Sequence, residues 1–306
     1  MTKLQGQIVN VNGQNMHIRT MGSGSKTIVL LPGWNVPLPS VEFAPLMRAF
    51  SEKYTVCAVE LFGYGYSDGT DTPRTNKNIV EEIRKALFAA GLKPPYVLMP
   101  YSCSGVYSEY YAIKYPKEVE ALILLDCMST GEEMPELTEE DLDELHQIAN
   151  EYHEIIVELE GATLKDFESD ISSGVMDPAE LEELEFYLQC GYTKEEIFEA
   201  STFPNHMETV VAQYKALPAN VHEVFSINTK LTETTPVLMI NAEIGHGCEG
   251  DEVEESRVEL AQAREIHRDK LGSKTKMVVI GGSHHGDIYY HIDGIGQAVE
   301  NFLESI

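Results

Sequence analysis

A serine and a cysteine lie side by side in M-P-Y-S-C-S-G-V, residues 99–106, between an apolar run and a helical pattern. A nucleophile at a tight strand-to-helix turn is held at positive φ, so its side chain stands exposed above the sheet. The residues two before and two after it must be small, because the strand and the helix nearly collide there. Ser102 at the tip places a compact proline and a serine at those positions, whereas Cys103 would place a tyrosine there and Ser104 a valine. Ser102 is therefore the favoured nucleophile, and Cys103 is the alternative.

The composition is that of an ordinary globular protein: 306 residues, 43% of them hydrophobic, with a mean hydropathy of −0.20. No apolar run approaches the roughly 20 residues that cross a bilayer, and the first residues lack the apolar core of a signal peptide. We therefore expect a cytoplasmic protein. The five cysteines are scattered and show no CxxC spacing, so neither a disulfide framework nor a zinc site is predicted.

The net charge of −28 is unevenly distributed along the chain. Residues 127–229 contain 25 Asp and Glu against 3 Lys, and this stretch carries most of the excess. So acidic a protein is a poor partner for nucleic acid or for an anionic membrane surface, which leaves a small-molecule substrate as the expected partner. The change in charge also marks a segment with its own surface character.

Apolar, β-branched runs alternate with helical patterns along most of the chain. An Asn12-Gly13 pair between two short alternating runs predicts an opening hairpin. The later alternation predicts an α/β fold with a mostly parallel sheet flanked by helices, whose sites lie at the carboxyl ends of the strands. The acidic, helix-rich residues interrupt this pattern and predict an inserted helical cap. The predicted division is a core of residues 1–128 and 230–306 and a cap of residues 129–229, hereafter the predicted cap.

Three motifs in this order resemble those of the α/β-hydrolase superfamily. P-Y-S-C-S-G-V from residue 100 is similar to the nucleophile turn G-H-S-x-G-G, L-L-P-G-W-N from residue 30 to the oxyanion loop L-L-H-G-x, and E-L-F-G-Y-G-Y-S-D from residue 60 to D-x-x-G-x-G-x-S. The resemblance implies an eight-stranded sheet with a cap, and serine hydrolase chemistry. It implies that Ser102 is the nucleophile and that the backbone N–H groups of Trp34 and Cys103 form the oxyanion hole.

The same resemblance implies a histidine base in the loop after the last strand. Two neighbouring candidates lie there, His284 and His285, in I-G-G-S-H-H-G-D. Laying the family's usual loop on Ile280 without a gap favours His285, and counting back from the closing Phe302 favours it too. His284 remains the alternative.

The sequence departs from the family pattern at the acidic residue that would partner the histidine. The family commonly carries it in a G-x-x-D pattern after the seventh strand, and here Gly245 occupies that position. Asp126, at the end of the sixth strand in L-I-L-L-D-C, is preferred because that strand adjoins the one that bears Ser102. A carboxylate there could orient the histidine ring and stabilise its charged form. Glu243, two residues before the vacant position, is the alternative.

These residues predict a serine hydrolase that cleaves a small, largely apolar carboxylic ester through an acyl-enzyme, without a metal or an organic cofactor. Thioesterase or peptidase variants of this chemistry are less favoured. A non-catalytic ligand-binding protein of the same fold is the competing hypothesis, because Pro32, Pro100 and Gly245 depart from the family motifs. The identity of the substrate and the oligomeric state stay open.

Overall fold

A computed structural model describes residues 5–158, 162–173, 175–203, 205–227, 230–245 and 252–306. Within them the chain forms eight strands, which are β1 (Gln7–Val11), β2 (Gln14–Met21), β3 (Thr27–Leu31), β4 (Thr55–Val59), β5 (Tyr96–Pro100), β6 (Val119–Leu125), β7 (Val237–Ile244) and β8 (Lys276–His284). Cys57, Cys103, Cys127 and Cys190 are free thiols, and Cys248 lies outside the described residues.

The described residues also form twelve α-helices. Six belong to the alternating pattern: α1 (Pro39–Glu42), α2 (Ala44–Ser51), α3 (Asn76–Ala89), α4 (Ser104–Lys114), α11 (Glu252–Leu271) and α12 (Ile292–Leu303). The other six follow one another between β6 and β7: α5 (Glu139–Glu158), α6 (Leu164–Ser173), α7 (Pro178–Gln189), α8 (Lys194–Thr202), α9 (Met207–Lys215) and α10 (Leu217–Ser226).

The eight strands form one sheet in the order β1-β2-β4-β3-β5-β6-β7-β8. The hairpin β1–β2 pairs antiparallel with the rest at one edge, and all other pairs are parallel. Its turn residues Asn12 and Gly13 both have positive φ, as the Asn-Gly pair predicted. The predicted mostly parallel, eight-stranded sheet is confirmed.

Both faces of the sheet are covered, because successive side chains of a strand point to opposite faces. In β3, Val29 and Leu31 pack in a buried cluster with α3 and α4, whereas Ile28 and Leu30 pack in a second cluster with α2 and α12. This double burial explains why the central strands are continuous apolar runs rather than alternating ones. The polar residues that follow these strands lie at the carboxyl-terminal ends of the parallel strands.

No helix in the described part of the chain has both the length and the apolar character that crossing a bilayer requires.

Candidate active site

Ser102 occupies a tight turn between β5 and α4. Its φ of +54° is in the left-handed region, which costs a non-glycine residue roughly 1–2 kcal/mol. The backbone compensates with hydrogen bonds on both sides: Ser102 N–H donates to the Leu125 carbonyl at 3.3 Å, and its own carbonyl accepts from Gly105 N–H at 3.1 Å. The hydroxyl is therefore held at the carboxyl end of the strand, partly exposed.

The crowding expected around this turn falls on two residues. Ser104, two positions after Ser102, is fully buried, and its hydroxyl donates to the Pro32 carbonyl. Gly105 is the position with no room for a side chain, because a Cβ there would lie 2.5 Å from Cβ of Cys127. Of the two glycines that the family motif G-H-S-x-G-G places after the nucleophile, this chain keeps the second, Gly105, and has Ser104 in place of the first.

His285 follows β8 directly, and its ring reaches the turn. Its Nε2 lies 3.1 Å from Ser102 Oγ. Tyr101 stacks on the ring with centroids 5.0 Å apart, and its hydroxyl donates to the His285 carbonyl at 2.7 Å. His284, the alternative, is still in the strand, and its N–H donates to Asp287 Oδ1 at 2.6 Å. The structure therefore brings His285 to the serine.

Asp126 supplies the carboxylate on the far side of that ring. Its Oδ2 lies 2.6 Å from Nδ1 of His285, and its Oδ1 accepts a hydrogen bond from Ala242 N–H at 2.9 Å. A guanidinium nitrogen of Arg264 lies 3.8 Å from the same Oδ1. Like Ser102, Asp126 has a positive φ, +42°. No sequence pattern indicated Arg264, because α11 shows mainly polar residues.

Glu243, the alternative acid, is engaged elsewhere. Its carboxylate forms an ion pair with Arg257 at 2.9 Å and accepts a hydrogen bond from Gly282 N–H at 2.6 Å. Gly245, at the position where relatives commonly carry their acid, donates its N–H to Ser256 Oγ at 3.0 Å. The side chains that come together are thus those of Ser102, His285 and Asp126.

The predicted oxyanion loop lies against the turn because Gly33 has no side chain. A Cβ on Gly33 would lie 2.9 Å from the Tyr101 ring and 3.0 Å from Cβ of Ser102. Trp34, the next residue, is fixed by its indole N–H, which donates to the Val210 carbonyl at 3.0 Å. Among the described residues, the backbone N–H groups of Trp34 and Cys103 donate to no backbone carbonyl.

The Cys103 thiol is buried inside the turn. Burial raises its pKa to about 12, although the amides of Trp34 and Cys103 and the Gln213 side chain act in the opposite direction. A thiol with so high a pKa stays protonated at neutral pH and is a poor nucleophile. The geometry and the protonation state both favour Ser102 over its neighbour.

A cavity of about 310 Å³ opens beside the three side chains. A cavity of this size holds a small substituent and confines a larger one. Within the described ranges, no group of three or more His, Cys, Asp and Glu side chains is placed to share a metal ion. The cavity walls are largely apolar and comprise Cys127, Met128, Met239, Leu260 and Ala263, with the polar Ser129, Asn241, Arg264 and His267.

Comparison with known proteins shows a similarity to one family over part of the chain. The sequence profile described as the alpha/beta hydrolase fold matches residues 26–155. The crystal structure of a thermophilic esterase from Thermogutta terrifontis superposes with a TM-score of 0.64 over 99% of both chains, at 15% sequence identity. The likeness to this esterase is one of fold. The eight-stranded sheet with flanking helices has the α/β-hydrolase fold, and the chain is similar to the α/β-hydrolase family over residues 26–155.

Two curated relatives align with part of the chain. The uncharacterized protein YbdG of Bacillus subtilis (strain 168) is 40% identical over 124 residues, which are 40% of this chain and 38% of YbdG. The pimeloyl-[acyl-carrier protein] methyl ester esterase of Xanthomonas oryzae pv. oryzae (strain MAFF 311018) is 30% identical over 130 residues, 42% of this chain and 47% of the esterase. The chain thus matches less than half the length of these relatives.

Proposed function

We propose that this protein is a serine hydrolase that cleaves a small, largely apolar carboxylic ester. The observation that carries the proposal is the chain of contacts from Ser102 Oγ to His285 Nε2 at 3.1 Å, and from His285 Nδ1 to Asp126 Oδ2 at 2.6 Å. A serine hydroxyl is a weak nucleophile at neutral pH unless a base removes its proton. These distances suit that transfer, with the carboxylate holding the ring in the required tautomer.

The proposed reaction has two stages. His285 Nε2 takes the hydroxyl proton while Ser102 Oγ forms a bond to the ester carbonyl carbon, and the carbonyl oxygen becomes an oxyanion. The N–H groups of Trp34 and Cys103 stabilise that charge, each contributing roughly 3 kcal/mol. The C–O bond to the alcohol then breaks, and His285 returns the proton to the departing oxygen. Water attacks the acyl-enzyme by the same route and releases the acid, so no cofactor is needed.

Asp126 serves this reaction best if its carboxylate is held in one position. Its Oδ1 accepts from Ala242 N–H at 2.9 Å and faces Arg264 at 3.8 Å, so it has a donor and a positive charge on the side away from the histidine. Both partners leave Oδ2 directed at the ring.

The 310 Å³ cavity supports an apolar acyl or alcohol group of a few carbons, because its walls are mainly Met, Leu and Ala side chains. The name of the Xanthomonas relative, a methyl ester esterase, also supports an ester substrate. We further propose that the partner is this small molecule alone, with neither nucleic acid nor a membrane, and that the protein is cytoplasmic. The net charge of −28 supports the proposal that neither nucleic acid nor an anionic membrane is a partner.

We also propose that the predicted cap, residues 129–229, covers the strand ends and selects substrates. Contacts between this segment and the core support it. Glu196 of α8 forms an ion pair with Arg48 at 2.7 Å, and the Trp34 indole donates to Val210 in α9. Asn76 of α3 donates its N–H to the Asn220 side chain of α10 at 2.9 Å.

A fluorophosphonate probe tests the proposed chemistry, because it phosphonylates only a serine whose hydroxyl is activated. We expect stoichiometric labelling, mapped by mass spectrometry to Ser102 and lost in Ser102→Ala. Ser129→Ala is the matched control, since Ser129 lines the same cavity and should not affect labelling. Folded wild-type protein that is not labelled and hydrolyses no p-nitrophenyl ester from acetate to octanoate would instead support the non-catalytic binding protein.

A further inference from the structure

A second cavity, of about 360 Å³, lies between the core and helices α7 and α8. Four tyrosines line it, and we call it the tyrosine cavity: Tyr187 of α7, Tyr192 of the following turn, and Tyr289 and Tyr290 of a short 3₁₀ turn after His285. Tyr290 is central, with ring centroids 4.5–6.0 Å from those of the other three. The cavity thus presents aromatic rings from two parts of the chain to one space.

One carboxylate enters this aromatic space without a counter-charge. Glu42 of α1 lines the cavity, and among the described residues its carboxylate oxygens form no hydrogen bond and no ion pair. Burial raises its pKa to about 7. Of the other two carboxylates at the cavity, Glu196 is held by Arg48 at 2.7 Å, and Glu183 is exposed and accepts from Tyr187 at 3.1 Å.

An unpaired carboxylate among aromatic rings is chemically suited to a positively charged ligand group. Aromatic faces carry negative potential and attract cations, and the attraction is strongest where water is excluded. A cation beside Glu42 would also supply the opposite charge that this partly buried carboxylate lacks. No Lys or Arg of the described residues lines the cavity, so the protein itself does not provide that charge. A negatively charged ligand would meet repulsion from every side.

The tyrosine cavity adjoins the proposed catalytic residues. Gly286, which follows His285 in the chain, lines it. Tyr289 makes an edge contact with Tyr101 at 5.2 Å between centroids, and Tyr101 stacks on His285 at 5.0 Å. Two ring contacts therefore link the cavity to the ring that would accept the Ser102 proton.

We propose that the tyrosine cavity binds an ammonium group of the substrate, with Glu42 as its counter-ion and the rings of Tyr187, Tyr192 and Tyr290 around it. Resting on the proposed function, this inference narrows the substrate class to esters that carry a compact amine or quaternary ammonium group. The volume of about 360 Å³ accommodates a trimethylammonium head.

Binding can be measured separately from catalysis. Titration of the Ser102→Ala protein with tetramethylammonium chloride, followed by calorimetry at pH 8, should give saturable binding. Tert-butanol, a neutral molecule of similar shape, should bind at least tenfold more weakly. Glu42→Gln should raise the Kd for tetramethylammonium roughly tenfold and leave that for tert-butanol unchanged. Glu52→Gln, which removes an exposed carboxylate near the end of α2, is the matched control and should have no effect.

Turnover then tests whether the bound cation belongs to the substrate. Wild-type protein should hydrolyse the acetate ester of choline with a kcat/KM about tenfold above that of the isosteric 3,3-dimethylbutyl acetate, and Glu42→Gln should abolish the difference. Equal Kd values for tetramethylammonium in Glu42→Gln and wild type overturn the cation site. Cation binding that depends on Glu42, in a protein that is not labelled by the fluorophosphonate and cleaves neither these esters nor the p-nitrophenyl esters, retains the cation site and instead overturns the proposed ester hydrolysis.

Discussion

Two histidine–carboxylate pairs lie near one another in this protein and differ in what surrounds them. The outer pair is His285 with Asp126, 2.6 Å apart, and the inner pair is His267 with Glu109, 2.7 Å apart. The side chains of the outer pair are 27% and 14% exposed, whereas both of the inner pair are 1% exposed. The contact itself is nearly identical, so it cannot distinguish a reactive site from a structural one.

The two pairs differ in which nitrogen of the histidine ring faces the carboxylate. In the outer pair Nδ1 faces the carboxylate, which leaves Nε2 for the Ser102 hydroxyl. In the inner pair it is Nε2 that faces Glu109, and Thr130 donates to the other oxygen of Glu109 at 2.6 Å. These contacts join α4, α11 and the loop after β6 inside the protein. A general base needs a nitrogen that a substrate proton can reach. In the outer pair Nε2 lies beside the partly exposed Ser102, whereas in the inner pair Nε2 lies beside the buried Glu109 and Thr130.

Replacing the outer histidine should have the largest effect. His285→Gln removes the base and should lower kcat/KM for a p-nitrophenyl ester by roughly 10²–10⁴-fold. Because the ring is partly exposed and the cavity beside it is open, the melting temperature should change by only a few degrees. Stopped-flow assays and thermal denaturation of the same samples measure both quantities. A loss of less than tenfold would contradict the proposed role of His285.

Replacing the inner histidine should lower the stability of the protein and leave its turnover almost unchanged. His267→Leu leaves Glu109 buried without its partner, and breaking such a pair costs about 3–5 kcal/mol of unfolding free energy. Urea denaturation should show this loss, while kcat per folded molecule stays within about threefold of wild type.

A double variant sharpens that test. Glu109→Leu combined with His267→Leu removes both polar partners and should recover much of the stability, because an apolar pair can replace a buried hydrogen-bonded pair. If His267→Leu instead lowers turnover as much as His285→Gln does, the distinction between the two pairs is wrong.

Much of the sheet could be predicted from local sequence patterns. Continuous apolar runs such as TIVLL mark strands buried on both faces, and Asn12-Gly13 marks the opening hairpin. The sequence also led to Ser102, His285 and Asp126, because residues after neighbouring parallel strands meet at one edge of the sheet. The division at residues 129 and 229, and the catalytic roles of these side chains, remain predictions.

The inner pair and the tyrosine cavity could not be predicted in this way. Glu109 and His267 are 158 positions apart, and each lies on a helix whose local pattern says nothing about its partner. Glu42 lies in a four-residue helix, where a carboxylate would ordinarily be exposed. Only the packing of helices α7 and α8 against the core reveals that it faces rings. Contacts between distant segments depend on tertiary structure, which short-range periodicity does not encode.

Glu42 extends the comparison to a carboxylate that has no histidine. Burial raises its pKa from an ordinary 4.5 to about 7, so the folded protein retains a proton that the unfolded chain has released. Stability should therefore fall as the pH rises from about 4.5 to 7, by at most about 3 kcal/mol. Urea denaturation across this range should show the slope, and Glu42→Gln should remove it and be more stable at pH 8. An unchanged slope in that variant would show that other groups cause it.

The smallest expected effect concerns how the outer pair is positioned. Tyr101→Phe removes the hydroxyl that donates to the His285 carbonyl at 2.7 Å but keeps the ring that stacks on the imidazole. Loss of one such hydrogen bond costs about 1 kcal/mol, and we expect kcat to fall roughly fivefold with KM unchanged. Tyr96→Phe is the matched control, because Tyr96 begins the same strand and its hydroxyl also donates to a backbone carbonyl, that of Leu92 at 3.1 Å. Both variants should lose similar stability, and only Tyr101→Phe should lose rate. An equal loss of rate in both would mean that the strand as a whole, and not the hydroxyl beside His285, sets the position of the ring.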